Sequence, residues 1–337
     1  MQKNSTIFVT VQQEDNEIRL DRWLKRYHPD ITHSLLEKML RKKLIRVDNK
    51  KAKANQIIHT GQKIRIPAYH IYNTPKTTVK QQPLTIDDHR FIKDITIYED
   101  ENMLIVNKPS GMATQGGNKV KKNIDDLFKN MADELASGTG DRSVKYKLVH
   151  RIDKDTSGIL CIAKNAKAAN ILTKKFQDRT VSKQYISLIN SVLPNNHGTI
   201  DLAINKGTGK YGREQMVIDQ QNGQSAITHY KVIEQARKEI SLVMLKPVTG
   251  RKHQLRVHML SQKCQIIGDR KYCANNEPTA INDFADKLHL HAYQIIIDDF
   301  FGKTVRIAAP LPEYFLDSLN FLGININILN NIDNELL

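Results

Sequence analysis

One short segment of the chain concentrates carboxylates and basic side chains: Leu148–Leu160, with the sequence LVHRIDKDTSGIL. Asp153 and Asp155 lie close to His150 and Arg151, and a Thr-Ser-Gly turn follows before an apolar strand. A carboxylate that serves as nucleophile or base needs a charge partner that keeps it ionised, such as an arginine from elsewhere in the fold. Spacing alone does not separate this from an ordinary ion-paired loop, so both interpretations stand. Hydrolysis by paired carboxylates is disfavoured because both acids lie on one tight turn.

A second segment, PVTGRKHQLRVHML, places Arg251, His253, Arg256 and His258 within eight residues. A helix that begins near His253 would put His253 and Arg256 on one face, because residues three apart are neighbours on a helix. His253 and His258 are five residues apart and lack the acidic residue of the zinc-binding HExxH pattern. The segment is therefore not predicted to bind a metal.

Other candidate ligands give the same indication. His289 and His291 alternate along a predicted strand, where hydrogen bonding is favoured over metal binding. Cys161, Cys264 and Cys273 form no CxxC pair and are typical of reduced thiols in a cytoplasmic protein. The glycine-containing segments lack the strand, GxxxxGK[ST] and helix pattern of a phosphate-binding loop. The sequence predicts neither a metal nor a nucleotide cofactor.

Net charge indicates the class of partner. The 337 residues hold 51 Lys and Arg against 36 Asp and Glu, a formal charge of +15, and the first 80 residues alone hold 17 basic and 7 acidic side chains. A basic module on a larger body favours a polyanion, and nucleic acid over a membrane surface. No apolar run approaches the roughly 18 residues of a membrane span, and the first ten residues lack a secretory signal. The alternative is that the charge serves only solubility.

Elements of the basic module follow from apolar spacing. Leu20, Trp23 and Leu24 recur at helical spacing within EIRLDRWLKRY, which predicts a helix from residue 17 to 27. Thr32 or Ser34 can cap a second helix, SLLEKMLRKK. Two short strands, LIRV and KIRI, complete a unit of about 50 residues, with a glycine in the turn before KIRI.

The larger body, from about residue 95, contains more predicted strands than helices. Helices are predicted over residues 124–136, 167–181 and 253–264, and a hairpin over 229–249. Regular alternation of strand and helix is missing, which favours an α+β fold with a mixed, mainly antiparallel sheet and flanking helices.

The first of two resemblances covers residues 17–67. The segments RLDRWL, IRVDNKKAKAN and GQKIRIP resemble the S4 RNA-binding domain. The resemblance implies that a basic helix surface straddles phosphates of structured RNA, which is recognised more by shape than by base edges in the major groove. The expected contacts are Arg19, Arg22, Arg41, Lys42 and Lys43.

The second resemblance spans most of residues 93–310 and is to the RluA-type RNA pseudouridine synthases. Several segments carry it in the family's order: NKPSGMATQGG (107–117), HRIDKDTSG (150–158), the F-x-x-R-x-V-x-K-x-Y residues Phe176, Arg179, Val181, Lys183 and Tyr185, TGRKHQLRVH (249–258), GDRKY (268–272) and LHLHAYQI (288–295). Ile152 and Leu255 replace the family's Leu and Ile. With the S4 extension and the ATQGG ending, the chain resembles the members that act on 23S rRNA, so the resemblance implies this RNA as substrate.

This resemblance implies roles for individual residues. Asp153 is expected to be the catalytic carboxylate, either as nucleophile at the ribose C1′ or first as a base, and Arg256 is expected to pair with it. Tyr185 is expected to stack on the uracil and to take a proton later. The target base must leave its stack, and Arg151 would help extrude it or hold phosphate. The other expected RNA contacts are His150, Lys183, Arg251 and His253.

The resulting prediction is an enzyme that isomerises uridine to pseudouridine without metal or cofactor. Its expected partner is 23S rRNA or a precursor of the large ribosomal subunit, and a cytoplasmic monomer is expected. The domains expected are an N-terminal extension (1–16), an S4 domain (17–68), a linker (69–92), a catalytic domain (93–325) and a C-terminal tail (326–337). The alternatives are a synthase of the same family that acts on tRNA or on both RNAs, and a non-catalytic S4-type RNA-binding protein.

Overall fold

The structure is a computed structural model that divides into two compact units, Met1–Gln82 and Pro83–Leu337. It describes residues 6–67, 83–116, 122–139, 144–209, 212, 214–236, 239–273, 284 and 286–331. Residues 69–82 of the predicted linker, the last residue of the predicted S4 domain, and the end of the predicted tail, residues 332–337, lie outside the described residues.

The first unit contains two α-helices, a 3-10 helix (Gln13–Asp15) and six short strands in its described part. They are β1 (Ile7–Thr10), β2 (Ile18–Arg19), α1 (Leu20–Tyr27), α2 (His33–Arg41), β3 (Arg46–Val47), β4 (Lys50–Lys51), β5 (Ile57–Ile58) and β6 (Lys63–Ile66). The strands form an antiparallel sheet in the order β1-β6-β3-β4 and a second pair, β2-β5. Side chains of α1, α2 and the sheet share one apolar core.

Local sequence explains where the two helices begin. The first unit differs from the prediction in two places. Thr32 caps α2 by accepting from the Leu35 amide, as one predicted alternative had it. Helix α1 begins at Leu20 instead of residue 17, because Ile18 and the next residue pair with β5. The expected N-terminal extension is part of the unit, since β1 pairs with β6 and buried Asp15 accepts from the Trp23 indole at 3.0 Å.

A two-residue turn joins β3 to β4. Asp48 and Asn49 have φ of 48° and 63°, the left-handed pair of a type I′ hairpin turn, which Asn and Asp tolerate. Asp48 Oδ1 also accepts from the Lys63 amide at 2.8 Å. The carboxylate thus fixes this turn to β6.

The second unit carries the remaining described elements. They are α3 (Ile86–Ile95), β7 (Thr96–Glu99), β8 (Met103–Lys108), α4 (Ile124–Thr139), β9 (Lys147–Leu148), β10 (Ser157–Ala163), α5 (Ala166–Gln177), β11 (Val181–Ile189), β12 (His197–Asp201), β13 (Ile204–Thr208), β14 (Glu214–Ile218), β15 (Ile227–Ala236), β16 (Ile240–Pro247), α6 (Gln254–Ser261), β17 (Leu290–Phe300), β18 (Lys303–Ala308), α7 (Glu313–Phe321) and a 3-10 helix (Ile326–Asn331).

A large sheet organises this unit. Its strand order is β12-β15-β16-β11-β17-β10-β8-β7, with β18 beside β17 and β9 beside β10. Only β10 and β17, among the described strands of this sheet, pair in parallel. The mixed, mainly antiparallel sheet with helices confirms the predicted α+β class. Helices α4 and α5 cover opposite faces of β8 and β10, so every residue of β10 is buried.

Both ends of the second unit extend into segments expected to lie outside the catalytic domain. Helix α3 starts at Ile86, within the expected linker, because Thr85 and Asp88 form a reciprocal capping box. Ile92 and Ile95 of this helix are buried against the sheet. At the other end, Leu329 of the 3-10 helix is buried in the apolar cluster of α7. Among the residues described, no helix has the length and apolarity to cross a membrane.

Candidate active site

The loop that carries Asp153 joins β9 to β10. Gly158 ends it with φ of 105°, at the point where β10 pairs with β17. A Cβ at Gly158 would lie 2.3 Å from the carbonyl oxygen of Ala292, so no other residue fits there. Ser157 Oγ is 2.9 Å from His291 Nδ1 on β17, and this bond ties the loop end to the sheet.

Lys108 supports this loop from below. Its side chain is fully buried, and Nζ donates to the carbonyl oxygens of Pro109 (2.9 Å), Met112 (2.8 Å) and Lys154 (2.9 Å). Burial lowers the pKa of Lys108 to about 7, opposed by the charges of Asp155 and Asp153. Three carbonyls match the three hydrogens of an ammonium group, so Lys108 holds the residue next to Asp153 in place.

Two hydroxyl groups of the same NKPSGMAT segment complete this support. Ser110 Oγ donates to the Asp155 carbonyl at 2.7 Å, and Thr114 Oγ1 donates to the Ile152 carbonyl at 2.8 Å. The main chain on both sides of Asp153 is therefore fixed by side chains from one neighbouring segment. No role for these residues was predicted, although their segment belongs to the quoted resemblance.

Asp153 lies at the wall of a cavity with its side chain 20% exposed. Its Oδ2 is 3.7 Å from Arg256 Nη1, and its Oδ1 is 3.8 Å from His253 Nε2. Burial raises the pKa of Asp153, and the guanidinium groups of Arg256 and Arg151 oppose that rise. The carboxylate is thus poorly hydrated yet surrounded by groups that favour its ionised form.

Arg256 has a closer partner than the predicted Asp153. Its Nε and Nη2 donate to the two carboxylate oxygens of Asp269, each at 2.7 Å, and both side chains are at most 5% exposed. Arg256 therefore lies between Asp269 and Asp153 in a triad of side chains. Its expected contact with Asp153 is the longer and more exposed of the two. Asp269 also accepts from the amides of Lys271 and Tyr272, which fixes it in the GDRKY turn.

The rest of the TGRKHQLRVH segment holds α6 against the sheet. Gln254 accepts from Thr249 Oγ1 at 2.7 Å and donates to the Ile227 carbonyl and Thr228 Oγ1. His258 also contacts Thr228 Oγ1, at 2.9 Å. The helix begins at Gln254, because His253 has a left-handed backbone with φ of 54°. These contacts aim Arg256 toward Asp153.

A cavity of about 480 Å³ opens beside Asp153, a size that suits a small ligand. Asp153 is the only carboxylate among the described residues that line it. The cationic side chains in its lining are Arg151, Arg179, Lys183, Arg251 and Arg256. One acid among five cations suits an anionic ligand such as a nucleotide.

Tyr185 lines the same cavity from β11. The pairing of β11 with β17 shifts register between Gln184 and Tyr185, a bulge that redirects the side chain at the site. Burial raises the pKa of Tyr185, and the charge of Asp153 adds to the rise. Both effects favour the neutral phenol.

His150 and Lys183 occupy positions that the sequence assigned to RNA contacts. His150 Nε2 accepts from the Cys161 amide at 2.8 Å, and its ring stacks on Phe176 with centroids 4.4 Å apart. Burial lowers the pKa of His150 to about 3. The structure therefore favours a supporting role for His150, whereas Lys183 lies half-buried in the cavity lining.

The predicted RNA contacts of the first unit are all exposed. Arg22 lies on α1, and Arg41, Lys42 and Lys43 lie at the C-terminal end of α2. Arg19 differs, because its guanidinium pairs with Asp21 at 2.6 Å.

The ring nitrogens of His289 and His291 have separate hydrogen-bond partners within the fold. His289 contacts the Lys287 carbonyl and Ser318 Oγ, each at 2.8 Å, and His291 contacts Ser157 and the Ala309 carbonyl. Both are buried in hydrogen-bonding roles, as predicted. Within the described residues, no group of three or more His, Cys, Asp or Glu side chains could hold a metal ion.

Comparison with known proteins matches both units. The family profile described as RNA pseudouridylate synthase matches residues 102–261, and the S4 domain profile matches residues 18–64. Ribosomal large subunit pseudouridine synthase C of Rickettsia typhi is 36% identical over 304 residues, which cover 88% of this chain and 95% of the relative. RNA pseudouridine synthase 4, mitochondrial, of Arabidopsis thaliana is 30% identical, covering 89% of this chain and 75% of that protein.

A solved structure agrees with these sequences. Human RNA Pseudouridylate Synthase Domain Containing 4 superimposes with a TM-score of 0.58 at 26% identity, covering 72% of this chain and 99% of that one. An S4 domain joined to an α+β domain of this kind defines an RNA-modifying enzyme. The chain belongs to the RNA pseudouridylate synthase family, and its reaction is the isomerisation of uridine to pseudouridine in RNA.

Proposed function

We propose that Asp153 is the catalytic carboxylate of this isomerisation and that the substrate is the RNA of the large ribosomal subunit. The observation that carries the first part is that Asp153 is the single carboxylate in the described lining of a cation-rich cavity. In the reaction the N1–C1′ bond of the uridine breaks and a C5–C1′ bond forms. The proton on C5 leaves and N1 gains one, so the product is an isomer.

Either route for Asp153, attack on C1′ or abstraction of a ribose proton, needs an ionised carboxylate. Arg256 and Arg151 favour that form against the effect of burial. Tyr185, on the bulged strand, would stack on the extruded uracil, and Arg151, Lys183 and Arg251 would hold the flanking phosphates. Pocket contacts of this kind offset the few kcal/mol that unstacking a base costs.

The substrate proposal is supported by the length and name of the relatives. The Rickettsia typhi protein named for the large ribosomal subunit matches across 95% of its length. The exposed cations of the first unit would extend the RNA contact beyond the target uridine. We place the enzyme in the cytoplasm as a monomer, with 23S rRNA or a subunit precursor as partner.

Mapping pseudouridine by carbodiimide-dependent stops of reverse transcription tests this proposal. RNA would be compared from cells with the gene, without it, and with Asp153→Asn in its place. We expect the same stops to vanish from 23S rRNA in both altered strains. Loss from tRNA alone would contradict the substrate, and stops that persist with Asp153→Asn would contradict the catalytic assignment.

The cations of α2 allow a separate test of the RNA contact. The triple variant Arg41→Gln, Lys42→Gln and Lys43→Gln should reduce the salt dependence of RNA affinity, because fewer counterions are released. The slope of log affinity against log salt concentration should become less steep by about 2 to 3. The measurement is RNA binding between low and physiological salt. The pair Lys303→Gln and Arg306→Gln, on exposed positions of β18, is the control and should change the slope less. An equal slope in the triple variant and the wild type would contradict the assignment of Arg41, Lys42 and Lys43 as RNA contacts.

A further inference from the structure

His253 and Tyr272 form a hydrogen-bonded pair behind Asp153. His253 Nδ1 is 2.6 Å from the Tyr272 hydroxyl, and His253 Nε2 is 3.8 Å from Asp153 Oδ1. The imidazole of His253 therefore lies between a buried phenol and the carboxylate. His253 comes from the start of α6, whereas Tyr272 comes from the turn that also carries Asp269.

The hydroxyl of Tyr272 can be assigned as the donor to His253. It accepts from the Met216 amide of β14 at 3.0 Å, and Tyr272 is 3% exposed. A buried hydroxyl has one hydrogen to place, and His253 Nδ1 is the acceptor within reach among the hydrogen bonds found for it. With Nδ1 accepting, the neutral ring carries its hydrogen on Nε2, the atom that faces Asp153.

The surroundings of His253 favour the neutral ring. Burial lowers the pKa of His253 to about 3, and the charges of Arg256, Lys271, Lys252 and Arg151 act in the same direction. A neutral N–H can direct the carboxylate without neutralising it, unlike a second full cation. Arg256 donates two hydrogen bonds to Asp269, so its positive charge is shared between Asp269 and Asp153.

The location of His253 does not suit an RNA contact, which is the role predicted for it from the sequence. Its side chain is 12% exposed and one ring nitrogen is occupied inside the fold. Its backbone is left-handed, φ 54° and ψ 19°, which is uncommon outside glycine and persists only where the surroundings enforce it. Nε2 lies 3.8 Å from Asp153 Oδ1, within the lining of the same cavity.

We propose that His253 is a positioning residue for Asp153, and that Tyr272 acts through it by fixing the tautomer with hydrogen on Nε2. The proposal rests on the catalytic assignment of Asp153. Asp153 then has a neutral N–H 3.8 Å from Oδ1 and the Arg256 guanidinium 3.7 Å from Oδ2. Both distances exceed a hydrogen bond, so the two groups bias the orientation of the carboxylate through their dipole and charge.

A double-mutant cycle tests this coupling on the full chain. His253→Ala should lower kcat by about 10²-fold with a small change in RNA affinity, since a misplaced reacting group costs rate more than binding. Tyr272→Phe should lower kcat less, and it should have no further effect in the His253→Ala background. His253→Gln, which restores an N–H donor, should recover part of the activity. Tyr98→Phe is the control, because Tyr98 lies on β7, outside the site, and its hydroxyl donates to Asp100.

Each outcome has a defined meaning. Additive losses in the cycle, or an effect of His253→Ala confined to RNA affinity, would overturn the proposal. Nitrogen-15 NMR of the labelled wild-type protein gives an independent answer if a variant fails to fold: hydrogen on Nε2 supports it, and hydrogen on Nδ1 overturns it. Asp153→Asn belongs in the same panel. If that variant stays active, the catalytic assignment fails; if it is inactive while the cycle is additive, only the role of His253 fails.

Discussion

Asp153→Asn is expected to abolish pseudouridine formation while RNA affinity stays within about threefold of the wild type. An asparagine amide fills the same volume but can neither attack C1′ nor accept a ribose proton at neutral pH. The expected loss of rate is roughly 10³-fold or more, as for other reactions that lose their reacting group. Because the change removes a negative charge beside Arg256, RNA binding should be unchanged or slightly tighter.

Asp155→Asn is the matched control, since it removes the same charge two residues away on the same loop. The Asp155 side chain is exposed, and its contact with Ser110 uses the main-chain carbonyl, which the variant keeps. Single-turnover rates and equilibrium binding on one RNA fragment, with thermal unfolding of each variant, separate chemistry from stability. Comparable activity losses in both variants would contradict the unique role of Asp153, and unfolding of Asp153→Asn alone would make it a structural residue.

The sequence was most informative where chemistry restricts residue type. The order of short segments predicts the family, and the excess of strands without regular strand–helix alternation predicts an α+β fold; both are confirmed. Asp153 and Arg256 were predicted as neighbours although they are 103 residues apart, and the structure brings them to 3.7 Å. That prediction depends on the family pattern, since local spacing alone leaves an ordinary ion-paired loop open as the alternative.

Contacts that depend on tertiary approach could not be found in this way. Nothing in the local sequence distinguishes Asp269 from other turn aspartates, yet it is the bidentate partner of Arg256. Lys108 precedes a proline in a segment that suggested only a loop, and its burial beneath Lys154 follows from how β8 and β10 pair. Helix α3 lies in a polar segment without clear apolar periodicity, so the sequence predicts a linker there, and the capping box of Thr85 and Asp88 is its local signal.

Asp269→Asn should give the second large effect, on activity and stability together. Arg256 is 5% exposed and Asp269 is 1% exposed, so the variant leaves a buried guanidinium with Asp153, at 3.7 Å, as its remaining carboxylate partner. Breaking a buried ion pair from one side typically costs about 3 to 5 kcal/mol of folding free energy. Arg256 would also be free to move onto Asp153 as a direct ion pair. That pair would lower the reactivity of the carboxylate and close the space where the ribose must approach, so we expect kcat to fall about 10²-fold.

The control for this variant is Asp286→Asn, which removes the carboxylate that pairs with Arg270 on the surface. Those side chains are 59% and 69% exposed, and an exposed pair contributes at most about 1 kcal/mol. Urea unfolding and single-turnover kinetics on both variants give the comparison. A loss of stability in Asp269→Asn no larger than in Asp286→Asn would show that the buried pair is dispensable for folding. Full activity in Asp269→Asn would show that Arg256 acts on Asp153 without Asp269. The Arg256–Asp269 and Arg256–Asp153 contacts would then be independent of each other.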